Sequence, residues 1–157
     1  MNKLSSILKV DQVLLGVKAS SKKRVLEQAS LLLESKSGIA RSKIFNSLFS
    51  REKLGSTGLG NGIAIPHGRI EGLKEAFSLV FFLDAPISFD ANDEKPVEML
   101  IFLLVPIDAN QKHLEIFSDV AEMLSNTKFI SELKKLKTPQ TLHSKLCSWS
   151  SKNEKIS

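Results

Sequence analysis

The chain has 157 residues, 42% of them hydrophobic and 25% charged, with a single cysteine and a net charge of +5. That length predicts one domain, and that balance excludes a disordered or fibrous chain. The longest unbroken apolar run, Met99 to Val105, has seven residues, far short of the roughly 20 that a membrane-spanning helix requires.

The first nine residues hold no sustained apolar core, so no secretory signal is expected. One cysteine, Cys147, cannot close an intrachain disulfide, which fits a reducing compartment. The expected location is therefore cytoplasmic. The basic excess is local: residues 1–127 carry 15 basic and 15 acidic side chains, and the last 30 residues carry 7 and 2. No aromatic residues interleave Lys134, Lys135 and Lys137 as a base-stacking surface would require, so no nucleic-acid partner is expected.

In chain order, Val13 to Val17 reads as a first strand. Ser20 and Ser21 offer caps for a helix over 22–35 that buries Val25, Leu26, Ala29, Leu32 and Leu33, and Gly38 ends it. A second helix over 41–53 places Ile44, Phe45, Leu48 and Phe49 at helical spacing. Gly55 to Gly62 holds four of the eight glycines and reads as a shaped loop. Ile63 to Ile65 reads as a short strand stopped by Pro66, which lacks an N–H.

Phe77 to Leu83 and Val97 to Val105 are near-continuous apolar runs, the pattern of strands covered on both faces. Ala91-Asn92-Asp93-Glu94 reads as a turn between them, so a hairpin or meander is expected. A helix over 110–124 sets His113, Leu114, Phe117, Val120, Ala121 and Leu124 in one stripe. Thr127 is the expected cap of a helix over 128–136, and Thr138-Pro139 opens a last helix to about Trp149. The alternation predicts an α/β single layered domain over residues 1–150, a mixed β-sheet flanked by helices, followed by a polar, disordered tail over 151–157.

The densest chemical signal is the stretch Arg51 to Arg69. It fails the P-loop pattern, because Asn61 stands where a lysine should follow Gly60, and it fails G-x-G-x-x-G at Ile63. Nucleotide binding is not expected. His67 stands out instead. Pro66 fixes its own φ and biases Ile65 toward extended backbone, and Gly68 leaves the imidazole uncrowded, so the ring is presented at a strand end. A neutral imidazole, with an ordinary pKa near ~6.5, is a competent nucleophile. Arg51 and Arg69 carry guanidinium groups that match phosphoryl oxygens bidentately. Taken alone, His67 also admits a purely structural role, and His113 reads as a helix-boundary residue on the apolar stripe.

The other candidates carry less. His143 reads as a surface or interface residue and Cys147 as a small buried hydrophobe. The three histidines lack metal-ligand spacing, so no metal and no cofactor are expected. Ser56 and Thr57 lack the G-x-S-x-G context of a hydrolase nucleophile.

Gly-Ser-Thr-Gly-Leu-Gly-Asn-Gly-Ile-Ala-Ile-Pro-His-Gly-Arg, residues 55–69, resembles the active-site segment of the phosphotransferase-system IIA proteins of the fructose/mannitol superfamily. Its form is similar to the nitrogen-regulatory branch. The resemblance extends through residues 100–106 and 111–116 and covers roughly Leu4 to Trp149. It implies a mannitol-specific IIA-like fold and a phosphohistidine at His67, formed on Nε2. The donor would be an HPr-type phosphocarrier, NPr in the nitrogen branch. His113 matches the family's second active-site histidine and Arg51 its active-site arginine, while Arg69 is a phosphoryl-binding candidate.

The implied function is a stand-alone phosphocarrier and regulator whose targets include potassium-transport systems or sensor kinases. Such targets would meet the phosphate beside apolar loop residues such as Leu59 and Ile63. A sugar-specific component passing phosphate to a IIB domain, and an interaction module without phosphotransfer, are the competing readings. Intact His67, His113 and Arg51 argue against the last.

Overall fold

The computed structural model describes residues 2–150; the tail expected over 151–157 lies outside the described residues. Strands β1 (Val13–Val17), β2 (Gly58–Gly60), β3 (Ile63–Ala64), β4 (His67–Ile70), β5 (Phe77–Ile87) and β6 (Val97–Pro106) form one mixed sheet. Its order is β1-β5-β6-β3-β2, with β4 also on β6. β5 and β6 are antiparallel, and the expected turn joins them, with Glu94 N–H donating to the Ala91 carbonyl at 2.9 Å. β1 runs parallel to β5, whereas β3 and β4 run parallel to β6.

Helices α1 (Lys22–Ser37) and α2 (Arg41–Lys53) cover one face. On the other lie α3 (Gln111–Leu124), α4 (Thr127–Lys134), α5 (Pro139–Ser148) and the N-terminal segment. The alternation along β6 builds both cores: Leu100, Phe102 and Leu104 face α1 and α2, while Met99, Ile101 and Leu103 face the opposite layer. Burial on both faces explains why this strand has no polar alternation.

Local signals agree with most element ends. Ser21 caps α1 by accepting the Arg24 N–H, and Gly38 ends it at φ 79°, the left-handed conformation that glycine adopts without a Cβ clash. Thr138 caps α5 ahead of Pro139 in the first turn.

Several expectations are corrected. The glycine stretch is not wholly loop, since Gly58–Gly60 pairs with β3. Pro66 interrupts the strand beside β6 without ending it. β3 and β4 keep the same offset along β6 (Ile63 opposite Met99, Ala64 opposite Leu100, His67 opposite Leu103), and the Pro66 carbonyl accepts the Leu103 N–H at 3.0 Å. Proline lacks only the donor, so the ladder resumes beyond it.

The buried stripe of α3 is Ile116, Val120, Met123 and Leu124, while Leu114 is exposed. Leu32 is only half-buried, and Ser30 takes its place in the core face of α1. Asn126 rather than Thr127 caps α4, because its side chain accepts the Phe129 N–H. His143 is half-buried, with Nε2 2.7 Å from the Leu8 carbonyl, so it ties α5 to the N-terminal segment. Cys147 is fully buried, as expected of a small hydrophobe. Among the described residues, no helix is long and apolar enough to cross a membrane.

Candidate active site

A cavity of about 550 Å³ opens beside β4, between α2 and α3. It brings all four candidate residues together: Arg51 from α2, His67 and Arg69 from β4, and His113 from α3 line its wall. His67 and Arg69 are two residues apart on a strand and therefore share a side of the sheet, while Gly68 faces the other way.

Gly68 has a different reason for being glycine than an uncrowded imidazole. A Cβ there would stand 2.3 Å from Ser47 Oγ, so the missing side chain lets β4 pack against α2. The Ser47 hydroxyl completes this seam by donating to the Arg69 carbonyl at 2.9 Å. The strand carrying His67 is thus fixed to the helix carrying Arg51.

The imidazole is fixed as well. His67 Nδ1 lies 2.9 Å from the Ile65 carbonyl. A carbonyl only accepts, so Nδ1 carries the proton and the neutral ring keeps its lone pair on Nε2. The ring edge packs against Phe117 of α3, with centroids 4.6 Å apart. Burial holds the His67 pKa below its ordinary value; the Ile65 carbonyl opposes this, Arg51 lowers it further and Glu52 raises it. The ring is therefore neutral at neutral pH, the state required of a nitrogen nucleophile.

His113 has the opposite tautomer. It occupies the first turn of α3, where its N–H donates to Asn110 Oδ1 at 3.3 Å and its Nδ1 accepts the Asn110 N–H at 3.1 Å. With Nδ1 accepting, the proton of the neutral ring sits on Nε2. One cavity thus holds a histidine with a bare Nε2 and another with Nε2–H.

Arg51 donates from Nη1 to the Gly55 carbonyl at 2.8 Å, which anchors the guanidinium at the entry to the glycine stretch. A guanidinium has five N–H donors, and this bond uses one. Two exposed leucines, Leu54 (85% exposed) and Leu114 (52%), stand at the cavity wall. Leu59 lies outside that lining and Ile63 is fully buried, so the apolar surface beside the histidines differs from the one expected.

Sequence reasoning missed Ser47 and the contact of Phe117 with the imidazole. It also missed Glu52, a buried carboxylate beside Arg51 that is paired with Lys22 Nζ at 2.7 Å. Phe117 had a signal, its place one turn beyond His113. Ser47 and Glu52 had none, because both read as polar positions on a helix.

The family model "Phosphoenolpyruvate-dependent sugar phosphotransferase system, EIIA 2" matches residues 6–148. A nitrogen regulatory protein of Pseudomonas aeruginosa is 44% identical over 144 residues, covering 91% of this chain and 94% of that protein. The nitrogen regulatory protein of Escherichia coli is 39% identical over 141 residues, covering 89% and 86%. Among solved structures, the nitrogen regulatory protein IIA-Ntr of Neisseria meningitidis matches with a TM-score of 0.88 at 40% identity, over 92% of this chain and 99% of that one. IIA mannitol of E. coli shares the fold at 20% identity, with a TM-score of 0.72 over 88% and 98% of the two chains. The chain belongs to the EIIA 2 family of the phosphoenolpyruvate-dependent sugar phosphotransferase system, in its nitrogen-regulatory branch.

Proposed function

We propose that this chain is a phosphocarrier and regulator that accepts a phosphoryl group on Nε2 of His67 from an HPr-type phosphocarrier, the nitrogen-branch NPr. The observation that carries the reading is the Nδ1–carbonyl bond of His67, which leaves the Nε2 lone pair as the nucleophile. In the transfer, the P–N bond to the donor histidine breaks and a P–N bond to Nε2 forms. The donor nitrogen keeps the electron pair, and no oxidant, metal or cofactor enters the balance. Phosphoryl transfer of this kind depends on positioning and charge stabilisation. Arg51 supplies positive charge toward the equatorial oxygens and His113 an Nε2–H donor, while Arg69 is a further phosphoryl-binding candidate from the same strand.

Phosphorylation adds about −1.5 to −2 charges, by analogy with other phosphorylated side chains. Here that charge enters a cavity walled partly by the exposed Leu54 and Leu114. A protein target packing apolar surface over these leucines must desolvate the charge, so regulatory targets such as potassium-transport systems or sensor kinases prefer the unphosphorylated form. A tenfold preference needs only ~1.4 kcal/mol. The setting is the cytoplasm, where such donors and targets meet.

The test is donor-dependent labelling, followed by titration of a captured target against phosphorylated protein, unphosphorylated protein and His67→Ala. Acid-labile label on His67 and weaker binding of the phosphorylated form are expected. Undiminished labelling of folded His67→Ala would refute the acceptor. Equal affinities for all three forms across every target would favour a relay that passes phosphate to a IIB domain.

A further inference from the structure

The bond that sets the His67 tautomer is the last of a series. The Ile65 N–H donates to the Thr57 carbonyl at 3.0 Å. Thr57 is itself held by Glu52: its N–H lies 3.2 and 3.3 Å from the two carboxylate oxygens, and its hydroxyl donates to Oε1. The Glu52 side chain is only 2% exposed and is neutralised by Lys22 Nζ. Lys22 in turn sits over the Phe89 ring at 4.6 Å from its centroid. An unbroken path therefore runs from a buried carboxylate through residues 57 and 65 to Nδ1 of the proposed acceptor.

We infer that Glu52 is a positioning residue for the phosphoryl acceptor, acting through Thr57 and Ile65 to hold the His67 proton on Nδ1 and leave Nε2 as the nucleophile. This rests on the reading of His67 as the acceptor. The N–H and C=O of one residue belong to different peptide planes, so the path does not act by resonance along a single amide. It acts by orientation: with Thr57 fixed at both its N–H and its hydroxyl, its carbonyl can fix Ile65, whose carbonyl then fixes the ring. Hydrogen-bond partners beyond a functional histidine set its tautomer in this way.

Charge is the second component. The charged and titratable groups around the ring are Arg51 and Glu52 from α2, Arg69 from β4 and His113 from α3. Glu52 is the one carboxylate among them, and it opposes the lowering of the His67 pKa.

The experiment uses full-length protein with ¹⁵N-labelled histidine and compares wild type, Glu52→Gln, Thr57→Val and Thr57→Ser by NMR across pH. Each variant's fold is checked by its amide spectrum. Wild type should show a protonated Nδ1 and an unprotonated Nε2 on His67. Glu52→Gln should mix the two tautomers, lower the His67 midpoint and slow donor-dependent transfer about tenfold, as loss of a partner beyond a metal-bound histidine does. Thr57→Val should also mix the tautomers, whereas Thr57→Ser, which keeps the hydroxyl, should retain the wild-type spectrum.

A folded Glu52→Gln with lower stability but an unchanged tautomer and midpoint would overturn the inference. Should Glu52→Gln fail to fold, the two Thr57 variants decide, since they leave the Glu52–Lys22 pair in place; an unchanged tautomer in Thr57→Val overturns it equally. Because the spectra are read on unphosphorylated protein, absence of label on His67 would count against the acceptor reading alone.

Discussion

The two walls of the cavity hold their histidines in different ways. On the sheet wall, His67 belongs to a strand paired with β6 and seated against α2 with no side chain at Gly68, and its ring is tethered to the chain two residues earlier. On the helix wall, His113 is held by reciprocal bonds with Asn110, within a single exposed turn. The lesson is a division of labour. A nucleophile gains from a fixed tautomer and a fixed position. The helix wall does something else: the Asn110 N–H occupies Nδ1 of His113 and so places the proton of its neutral ring on Nε2.

The strongest way to break this contrast is to remove the fixed side. His67→Ala should abolish acid-labile labelling while leaving far-UV circular dichroism and the thermal midpoint near those of wild type. Persistent labelling would place the nucleophile elsewhere. Removing the stabilisers should have a smaller effect. Arg51→Ala or His113→Ala should slow transfer by about one to two decades, the loss of a charge-assisted hydrogen bond of roughly 1.5–3 kcal/mol in the transition state. The label should stay on His67, as rapid-quench transfer kinetics and peptide mapping can determine.

The seam behind His67 can be opened by substitutions at neither histidine nor arginine. Gly68→Ala introduces a Cβ 2.3 Å from Ser47 Oγ, and overpacking of this kind costs about 1–3 kcal/mol in denaturant titration. Pairing it with Ser47→Ala should recover part of the loss, because the hydroxyl is the nearest atom in conflict. Equal stability of Gly68→Ala and wild type would mean that the strand is not seated against the helix as described. On the opposite wall, Asn110→Ala removes only the cap of α3, at about 1 kcal/mol.

The smallest expected effect is that of pH. The His67 pKa is lowered from 6.5 in the folded chain, so over the interval below 6.5 the unfolded state binds more protons than the native one. Stability from this group is complete above pH 6.5 and is lost as pH falls toward the folded pKa. His67→Gln should flatten that part of the stability profile relative to wild type. An unchanged slope would show that the ring is not desolvated.

The same contrast marks what could be read before the fold was known. Strands β5 and β6 and the helices α1, α2, α3 and α5 are legible because their apolar periods, caps and breakers are local. β4 is not: His-Gly-Arg-Ile has no strand pattern, and it becomes a strand by resuming the ladder on β6 beyond Pro66. Arg51, His67 and Arg69 are legible from the motif and His113 only from the resemblance, and the fold gathers all four round one cavity. Their supports are not legible. Ser47 matters only because Gly68 lies against it, and Glu52 is buried only because Lys22 and Thr57 close over it. The Ser47–Gly68 and Lys22–Glu52 pairings join segments distant in sequence, the Glu52–Thr57 pairing depends on the path of the chain between them, and residue type alone announces none of these.

The proposed chemistry depends on which nitrogen of which histidine takes the phosphate. The direct measurement is ³¹P–¹⁵N correlation NMR of the ¹⁵N-histidine-labelled chain after incubation with a phosphorylated HPr-type donor. A single N–P coupling to Nε2 of His67 is predicted, with His113 and His143 uncoupled. A phosphate on Nδ1 of His67, or on either of the other histidines, would contradict it.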